Sequence, residues 1–451
     1  MTSSNSSNQL KALPDLKTRA IWNLSFGFFG VQIVYTLQTS SLSRIFATIG
    51  ADPNDLSFFW ILPPLVGLIV QPFVGRITDR MWSPRFGRRK PFLLLGGLIA
   101  GVIMVLLPNA GSFNFAVASA LMFGAICVTL LDMSSNMAMQ PFKMVVGDLV
   151  NEKQKTYAYS VQSFLVNASS IVAYLFPFLF TFLGVANTAA KGVVPDSVKL
   201  SFYVGLAILI ACVIQAMLTV KEMPPEEYAL YHEPVAKDDK TSFLTYLKNA
   251  PSVFWTVGLV QFFCWGAFLL QWTYSTGAIA ANAFGSTDPT SPEYQAAGNW
   301  YGVVSAAMAA GAVAWALLIP KFRSHRASYA VSLAIGAVGF LSVYFVHNQY
   351  LFIASYALIG VAWSAMMALP FTILTNALEG EGSIGVYLGL FNCTICIPQI
   401  VMALLGKAFM VAFGGFQPAM FIVAAVMLAL GVAAVFFVKE KSLGAQRIKA
   451  E

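Results

Sequence analysis

Hydrophobic residues in this chain gather into long continuous runs separated by short polar segments. Each of twelve runs is long enough for a helix of about 20 residues, the length that crosses a bilayer. They lie at about residues 20–48, 57–76, 91–108, 113–147, 157–184, 200–220, 251–284, 298–320, 328–346, 350–377, 383–413 and 416–438. The pattern predicts an all-α membrane protein with twelve transmembrane helices.

The longest polar segment between runs extends over residues 221–250 and divides the helices into six and six. We therefore predict an N-terminal bundle at 1–220, a cytoplasmic linker at 221–250 and a C-terminal bundle at 251–451. Composition agrees with a membrane protein, since only 10% of residues are charged and 58% are hydrophobic. A soluble protein carries about 25% charged residues, so an ordinary soluble enzyme is excluded.

Positive charge is concentrated on one side of the predicted helices. Twenty-three of the 27 Lys and Arg residues fall in the two termini, the linker and the loops on the same side. Because basic residues stay cytoplasmic, both termini are predicted in the cytoplasm of a multi-pass plasma or bacterial inner membrane protein. The same asymmetry explains the net charge of +7 without a nucleic-acid partner, and no signal peptide is expected in the polar first 20 residues.

The loop between the second and third runs carries a specific motif. It reads GRITDR at residues 75–80 and RFGRRKP at residues 85–91. This resembles the loop signature of major facilitator transporters, which implies their fold of two six-helix halves with a central substrate site. Ion pairs and helix-end contacts in such a loop could hold one conformation. The predicted gating residues are Asp79, Arg80, Arg88 and Arg89, and a loop that only orients the protein is the alternative.

The first and fourth runs resemble one particular group of transporters within that superfamily. From Gly30 the chain reads GVQIVYTLQTSSLSRIFATIG, and the fourth run contains Leu131-Asp132, Asn136, Pro141-Phe142-Lys143 and Asp148-Leu149 in one register. This is similar to the sucrose–proton symporters of plants and their bacterial and animal relatives, close to the glycoside–pentoside–hexuronide:cation symporters. The resemblance implies proton-coupled import of a sucrose- or maltose-type sugar by alternating access, with the coupling acid at Asp132.

Two departures from the plant pattern affect the predicted substrate. Lys143 stands where the plant proteins have Arg, and residues 275–282 in the seventh run carry none of their charges. These departures favour the bacterial branch of the symporter family, whose members also carry maltose and related glucosides. Lys143 lies about 16 Å beyond Asp132 along a helix, so Lys143 and Asp148 are assigned to the cytoplasmic gate.

Asp132 is the only acidic residue deep inside an apolar run. A carboxylate at membrane depth is costly and therefore usually functional, although an Asp held only by structural hydrogen bonds is the alternative. Sodium would need further oxygen ligands, and the three histidines fall in loops. The isolated carboxyl therefore indicates a proton as the coupling ion, with no metal and no other cofactor.

Polar and aromatic residues in several runs are candidates for sugar binding, because a disaccharide needs hydrogen bonds and an apolar face for stacking. For each amide, a helix–helix contact is the alternative. Trp272 has the alternative of an interfacial anchor, and Arg44 is interpreted as a gating or snorkelling residue. The predicted sugar-binding residues are Gln32, Tyr35, Gln38, Thr39, Asn136, Gln162, Asn167, Gln261, Trp265, Trp272, Asn392 and Gln399.

The predicted protein is thus a sugar–proton symporter that acts as a monomer among membrane lipids. An uncoupled sugar facilitator or exporter is the alternative, in which Asp132 takes no part in flux. A non-transporting sensor is disfavoured because the linker is only about 30 residues long. No catalytic residues are predicted, since the loops contain no nucleophile–base arrangement.

Overall fold

A computed structural model of the protein describes residues 11–231, 243–378 and 384–439. About 80% of the described residues are helical, and twelve helices among them are long and apolar enough to cross a membrane. This confirms the predicted number. The main helices are α1 (Thr18–Ile49), α2 (Leu62–Arg80), α3 (Lys90–Leu106), α4 (Val117–Leu149), α5 (Glu152–Phe182), α6 (Asp196–Thr219), α7 (Ser252–Ile279), α8 (Pro292–Ala316), α9 (His325–Phe345), α10 (Leu351–Ala377), α11 (Cys393–Ala412) and α12 (Met420–Val435).

Several helices begin where the sequence provides a side-chain cap. Asn151 precedes α5 and its side chain accepts a hydrogen bond from the Gln154 N–H at 3.0 Å. Ser291 and Ser324 cap α8 and α9 in the same way. Such caps satisfy N–H groups that have no partner inside the helix. The loops therefore end at defined residues, which sets where each membrane helix starts.

Two predicted runs are not single helices. The second is preceded by two short helices, Pro53–Asp55 and Leu56–Phe59. In the run at about 383–413, Asn392 lies between a short helix, Ile384–Phe391, and α11, while one membrane-length span continues through it over Gly389–Ala412. The Asn392 N–H bonds the carbonyl of Gly389, three residues earlier. This tighter turn breaks the regular pattern of bonds between residues four apart.

The first six helices pack around α1, which contacts α4, α5 and α6. The last six pack around α7, which contacts α10, α11 and α12. The two sets meet through the helix pairs α1–α7, α1–α8, α5–α8 and α2–α11, and through the short helix Leu56–Phe59, which packs on α11. The predicted domain boundaries at about residues 220 and 250 stay predictions. The candidate site lies between the two sets.

The molecule has two distinguishable ends. We call the linker end the one at which α1 and α7 begin, α6 and α12 end, and the short helix Pro225–Tyr228 lies. The opposite end contains the end of α1, the turn Pro53–Asp55 and the loop between α7 and α8. This distinction matters because polar contacts between the two helix sets are unevenly distributed between the ends.

Candidate functional site

A buried carboxyl–amide pair joins α1 to α4. Asp132 and Gln38 are each 1% exposed, and Gln38 Nε2 donates a hydrogen bond to Asp132 Oδ2 at 2.8 Å. Among the described residues, no basic side chain forms an ion pair with Asp132, and Gln38 Oε1 has no hydrogen-bond partner. An amide can donate to a carboxylate and accept from a carboxylic acid. Gln38 is therefore suited to both protonation states of Asp132.

Four predicted sugar-binding residues bond the backbone of their own helix. Asn136 Nδ2 donates to the carbonyl of Asp132 at 2.9 Å, and Thr39, Asn167 and Gln399 each donate to a carbonyl one turn earlier. In this state their donors already have one acceptor within the helix. A sugar would have to compete for these donors or use the side-chain oxygens, which remain potential acceptors.

Gln32 belongs to a contact between α1 and α5. Its Nε2 donates to Ser170 Oγ at 3.2 Å, and Thr36 Oγ1 donates to the same oxygen at 3.1 Å. This is the helix–helix arrangement that polar side chains commonly form in membranes. Tyr35 is half-buried on α1, while Gln162 on α5 is buried. The structure therefore places several of the predicted residues along the α1–α5 contact of the first helix set.

Gln261 and Trp265 on α7 each carry a buried polar atom that has no hydrogen-bond partner among the described residues. Gln261 is fully buried and Nε2 donates to the Met366 carbonyl of α10 at 3.4 Å. The atoms concerned are Gln261 Oε1 and Trp265 Nε1. Unpaired buried groups of this kind are rare in native proteins. An acceptor and a donor are therefore available for a ligand's hydroxyl groups, whereas Asn392 Nδ2 contacts Cys396 Sγ at 3.8 Å.

Four tryptophans form an aromatic cluster between the helix sets. Trp272 stacks on Trp60 with ring centroids 5.9 Å apart and planes 22° apart. Trp272 also lies 6.3 Å from Trp265 and 5.9 Å from Trp363, and Trp60 Nε1 donates to Ser43 Oγ at 2.9 Å. Trp272 and Trp363 remain half-exposed. A partly exposed aromatic ring is the type of apolar surface on which a sugar ring can stack.

Trp60 and Trp363 were missed by the sequence reasoning. Trp363 lies near the middle of α10 rather than at an end where interfacial tryptophans concentrate. That position is a signal that could have identified it. Trp60 lies in an aromatic segment, FFW at residues 58–60, and its partner Trp272 is far away in sequence. Its role in the cluster depends on packing between the two sets.

Arg44 is held at the opposite end by neutral oxygens. It is 2% exposed, which excludes the snorkelling interpretation. Its Nε donates to Gln295 Oε1 at 2.8 Å, and Nη1 donates to Asn299 Oδ1 at 2.8 Å, both on α8. Its Nη2 donates to Asn187 Oδ1 at 2.9 Å and to the Gln295 carbonyl at 3.0 Å. The bonds to Gln295 and Asn299 connect α1 of the first set to α8 of the last set, whereas Asn187 lies in the loop between α5 and α6 of the first set.

The network around Arg44 includes two further contacts between the sets. Gln295 Nε2 donates to Thr48 Oγ1 at 2.9 Å, and Asn299 Nδ2 donates to Thr181 Oγ1 at 2.8 Å. Thr48 lies at the end of α1, and Thr181 lies at the end of α5. The Arg44 network, meaning Arg44 with Asn187, Gln295, Asn299, Thr48 and Thr181, therefore closes the opposite end.

At the linker end, the predicted gating residues contact one another within the first helix set. Arg89 is buried, and its Nε lies 3.2 Å from Asp148 Oδ2 on α4. Its Nη1 donates to Thr78 Oγ1 at 2.7 Å. The Arg88 guanidinium lies over the Tyr228 ring, 4.1 Å from the centroid. The side chains of Asp79, Arg80 and Lys143 lie outside the described residues, so their predicted gating roles stay predictions.

Glu222 is a further residue that sequence reasoning missed at this end. Its carboxylate accepts hydrogen bonds from the backbone N–H groups of Arg88, Arg89 and Lys90 at 2.8–3.1 Å. An anion at a helix N-terminus is favourable because the N–H groups and the helix dipole both attract it. Glu222, which follows α6, therefore anchors the start of α3. The signal was an acidic residue next to the end of a membrane helix.

The helices, packed as two sets of six, have the major facilitator fold. Two solved transporter structures share this fold. One is an inward-facing, occupied bacterial homologue of the human lysosomal transporter Spinster, with a TM-score of 0.67 and 14% identity over 93% of this chain and 96% of that chain. The other is the nucleoside transporter NupG, with a TM-score of 0.65 and 11% identity over 94% of this chain and 100% of that chain.

The family model described as MFS/sugar transport protein matches residues 25–381, and the chain belongs to this family of sugar transporters. Similar relatives include the sucrose transport protein SUT1 of Oryza sativa subsp. japonica, 24% identical over 92% of this chain and 86% of that protein. Sucrose transport protein SUC4 of Arabidopsis thaliana is 22% identical over 86% and 83%. The general alpha-glucoside permease of Schizosaccharomyces pombe is 24% identical over 60% and 50%.

Proposed function

We propose that this sugar transporter is a proton symporter that imports a sucrose- or maltose-type sugar by alternating access. The observation that carries the proposal is the buried Asp132–Gln38 pair, since it has no cationic partner among the described residues. An ionised carboxylate in such an environment is poorly compensated. Proton binding at Asp132 would remove this charge before the helix sets move, and proton release would restore it.

Gln38 supports both states of the cycle. In the ionised state its Nε2 donates to the Asp132 carboxylate, as in this structure. After protonation, the carboxyl O–H requires an acceptor, and Gln38 Oε1 has no other partner among the described residues. A sugar hydroxyl beside the pair would gain or lose a hydrogen bond when Asp132 changes state. Such a difference couples the two binding equilibria.

The last six helices provide the sugar-binding groups in this proposal. The partly exposed rings of Trp272 and Trp363 offer stacking, while Gln261 Oε1 and Trp265 Nε1 offer an acceptor and a donor. Sugars present both apolar ring faces and many hydroxyls, so this combination suits them. Relatives named as sucrose transport proteins and as an alpha-glucoside permease support a disaccharide or glucoside as the substrate.

We assign the orientation of the protein in the membrane from the basic residues at the linker end. Arg88, Arg89 and Lys90 lie there at the start of α3, and basic loops remain in the cytoplasm. We therefore assign the linker end and both termini to the cytoplasm. The end closed by the Arg44 network then faces outside, and the central site in this conformation is separated from the outside medium.

Uptake by proteoliposomes tests this function. Labelled sucrose and maltose are supplied with and without an inward proton gradient to the wild type, Asp132→Asn and the control Asp196→Asn. Asp196 is an exposed acid whose nearest ion-pair partner is Lys199 in its own helix. We expect gradient-driven accumulation by the wild type and Asp196→Asn. Asp132→Asn is expected to retain exchange of labelled for unlabelled sugar but to lose accumulation.

Two other outcomes contradict the proposal in different ways. If the wild type only equilibrates sugar with or without the gradient, the protein is an uncoupled facilitator or exporter. If Asp132→Asn accumulates sugar as the wild type does, Asp132 is not the coupling site. Exchange measured in the same vesicles distinguishes a loss of coupling from a loss of folding, because a misfolded variant would show neither activity.

A further inference from the structure

A crevice of about 460 Å³ lies at the opposite end, between the two helix sets and away from the central site. The short helix Leu56–Phe59 and the preceding turn form one wall. The α11 residues Leu404 and Lys407 form the other. None of the residues assigned to sugar or proton binding lines it. It is therefore a second site whose ligand must be inferred from its own chemistry.

Large apolar side chains on both walls of the crevice are exposed at the surface of the helices. Phe58 is 63% exposed and Leu404 is 61% exposed. In a soluble protein, exposed side chains of this size on facing walls would indicate a binding surface. On helices that span a membrane, the surrounding acyl chains are the solvent for such residues. The crevice can therefore admit an acyl chain between Phe58 and Leu404.

The mouth of the crevice carries both signs of charge. Lys407 Nζ lies 2.6 Å from Asp55 Oδ1, with both side chains about half-exposed. Asp52 also lines the crevice and is exposed. Two carboxylates and one ammonium leave a formal charge of −1. This balance attracts a headgroup that contains an ammonium and repels a lipid whose headgroup has only negative charge.

A buried hydroxyl adds a polar group deeper in the crevice. Ser57 lines it, is 1% exposed, and its Oγ has no hydrogen-bond partner among the described residues. A buried hydroxyl without a partner is unusual, and Ser57 is one of the residues that line the crevice. It offers one more hydrogen bond to the ester or phosphate oxygens of a ligand that enters from the mouth.

We propose that this crevice binds a phospholipid with a primary-ammonium headgroup, of the phosphatidylethanolamine type. The ammonium of the lipid contacts the carboxylates of Asp52 and Asp55, and its phosphate contacts Lys407. One acyl chain lies between Phe58 and Leu404. Because Asp55 belongs to the first helix set and Lys407 to the last, the bound lipid bridges the two sets at the end that the Arg44 network closes.

The test measures lipid binding directly, so it does not depend on which sugar is carried. Purified, delipidated protein in detergent is titrated with phosphatidylethanolamine, phosphatidylcholine or phosphatidylglycerol, and bound lipid is counted by native mass spectrometry. The wild type should prefer phosphatidylethanolamine. Asp55→Asn and Lys407→Gln should each weaken this binding about fivefold, the effect of losing one exposed charge contact. The control Asp196→Asn removes a comparable exposed ion pair elsewhere and should bind as the wild type does.

A second variant examines the apolar walls. Leu404→Trp fills the opening with a larger side chain without changing charge, and it should reduce binding of all three lipids. Monodisperse elution of each variant verifies folding before lipid is added. Equal binding of the three lipids by the wild type, or equal phosphatidylethanolamine binding by the wild type, Asp55→Asn and Lys407→Gln, would overturn the proposal.

Discussion

The two ends of the molecule use similar polar residues in different ways. At the opposite end, Arg44 on α1 bonds Gln295 and Asn299 on α8, so the first and last helix sets are joined directly. At the linker end, Arg89 bonds Asp148 and Thr78 within the first set. Glu222, which follows α6, anchors α3 of the same set. At the opposite end, polar contacts join the two helix sets. At the linker end, the described contacts lie within the first set alone.

This difference identifies which contacts must break for the transporter to change conformation. Opening the opposite end requires Arg44 to leave oxygens of α8, and water would have to replace them. Opening the linker end requires no such step among the described residues. The loop motif that resembles the superfamily signature therefore stabilises its own helix set in this conformation. At the opposite end the sets are joined by the Arg44 network and by the Asp55–Lys407 ion pair.

The largest expected effect follows removal of the buried guanidinium. Arg44→Leu leaves the side-chain oxygens of Gln295 and Asn299 without their donor, at a cost of about 3 kcal/mol or more. Asn187 Oδ1 keeps its hydrogen bond from Ser197 Oγ. The opposite end should open more often. A cysteine at Thr48, which is 3% exposed in the closed state, should then react faster with a membrane-impermeant thiol reagent.

Arg89→Leu is the matched control at the linker end. It removes a buried Arg with its own ion pair, so it should destabilise the first helix set to thermal unfolding without raising the reactivity of a cysteine at Thr48. Equal reactivity in the Arg44→Leu and Arg89→Leu backgrounds would contradict the proposed difference between the two ends.

A smaller effect is expected at the α5–α8 contact. A Cβ at Gly302 would clash with the backbone carbonyl of Tyr174 across the two sets, whereas a Cβ at Gly360 would clash with the Met308 carbonyl within the last set. Overpacking of this kind costs about 1–3 kcal/mol. Gly302→Ala should both lower thermal stability and raise reactivity at the Thr48 cysteine.

Gly360→Ala provides the comparison for that experiment. Its added Cβ would also clash with a backbone carbonyl, but that carbonyl belongs to Met308 in the same helix set, so the contact between the sets is left unchanged. We expect it to lower the thermal unfolding temperature alone. If the two glycine variants change cysteine reactivity to the same extent, the α5–α8 contact does not control closure.

A moderate effect on stability alone is expected at the linker end. Glu222→Gln keeps an oxygen acceptor at the start of α3 but removes the negative charge from the helix N-terminus. This should destabilise the protein by about 1 kcal/mol, measured by chemical denaturation of detergent-solubilised protein. Reactivity of the Thr48 cysteine should stay at the wild-type level, and a change there would show that the cap also influences the opposite end.

The smallest expected effect is a pH dependence in the loop between α7 and α8. Hydrogen bonds from the Thr290 N–H and hydroxyl lower the pKa of Asp288 below its ordinary value of 3.8. The carboxylate therefore contributes stability above that value, and the contribution is lost as pH falls through the lowered pKa. The adjacent Pro289 carbonyl accepts a hydrogen bond from Gln295.

Acidification from about pH 5 to about pH 3 should therefore slightly raise the reactivity of the Thr48 cysteine, because loss of the Asp288 contacts loosens a loop joined to Gln295. The rate is normalised to a free thiol at each pH. Asp288→Asn should remove this dependence, whereas Asp196→Asn should preserve it. A parallel pH profile in the wild type and Asp288→Asn would exclude Asp288 as its source.

Much of the fold could be predicted from the chain because the bilayer imposes a simple rule. A segment must be apolar and about 20 residues long to cross it, so the twelve helices are visible as runs of residues. The same rule makes Asp132 conspicuous, since a lone acid inside such a run is costly. The helix boundary at Asn392, inside one span, was not visible, because the residues on both sides of it remain apolar.

The sequence by itself determined the number of helices, the asymmetry of positive charge and the isolation of Asp132, because each depends on residues that are neighbours along the chain. Only the tertiary structure decided that Gln38 bonds Asp132, that Trp60 stacks on Trp272, and that Arg44 is held by α8. Their partners are separated by 94, about 210 and 251 positions along the chain. Helical periodicity indicates which residues share a face, but only the packing of helices against one another selects what that face meets.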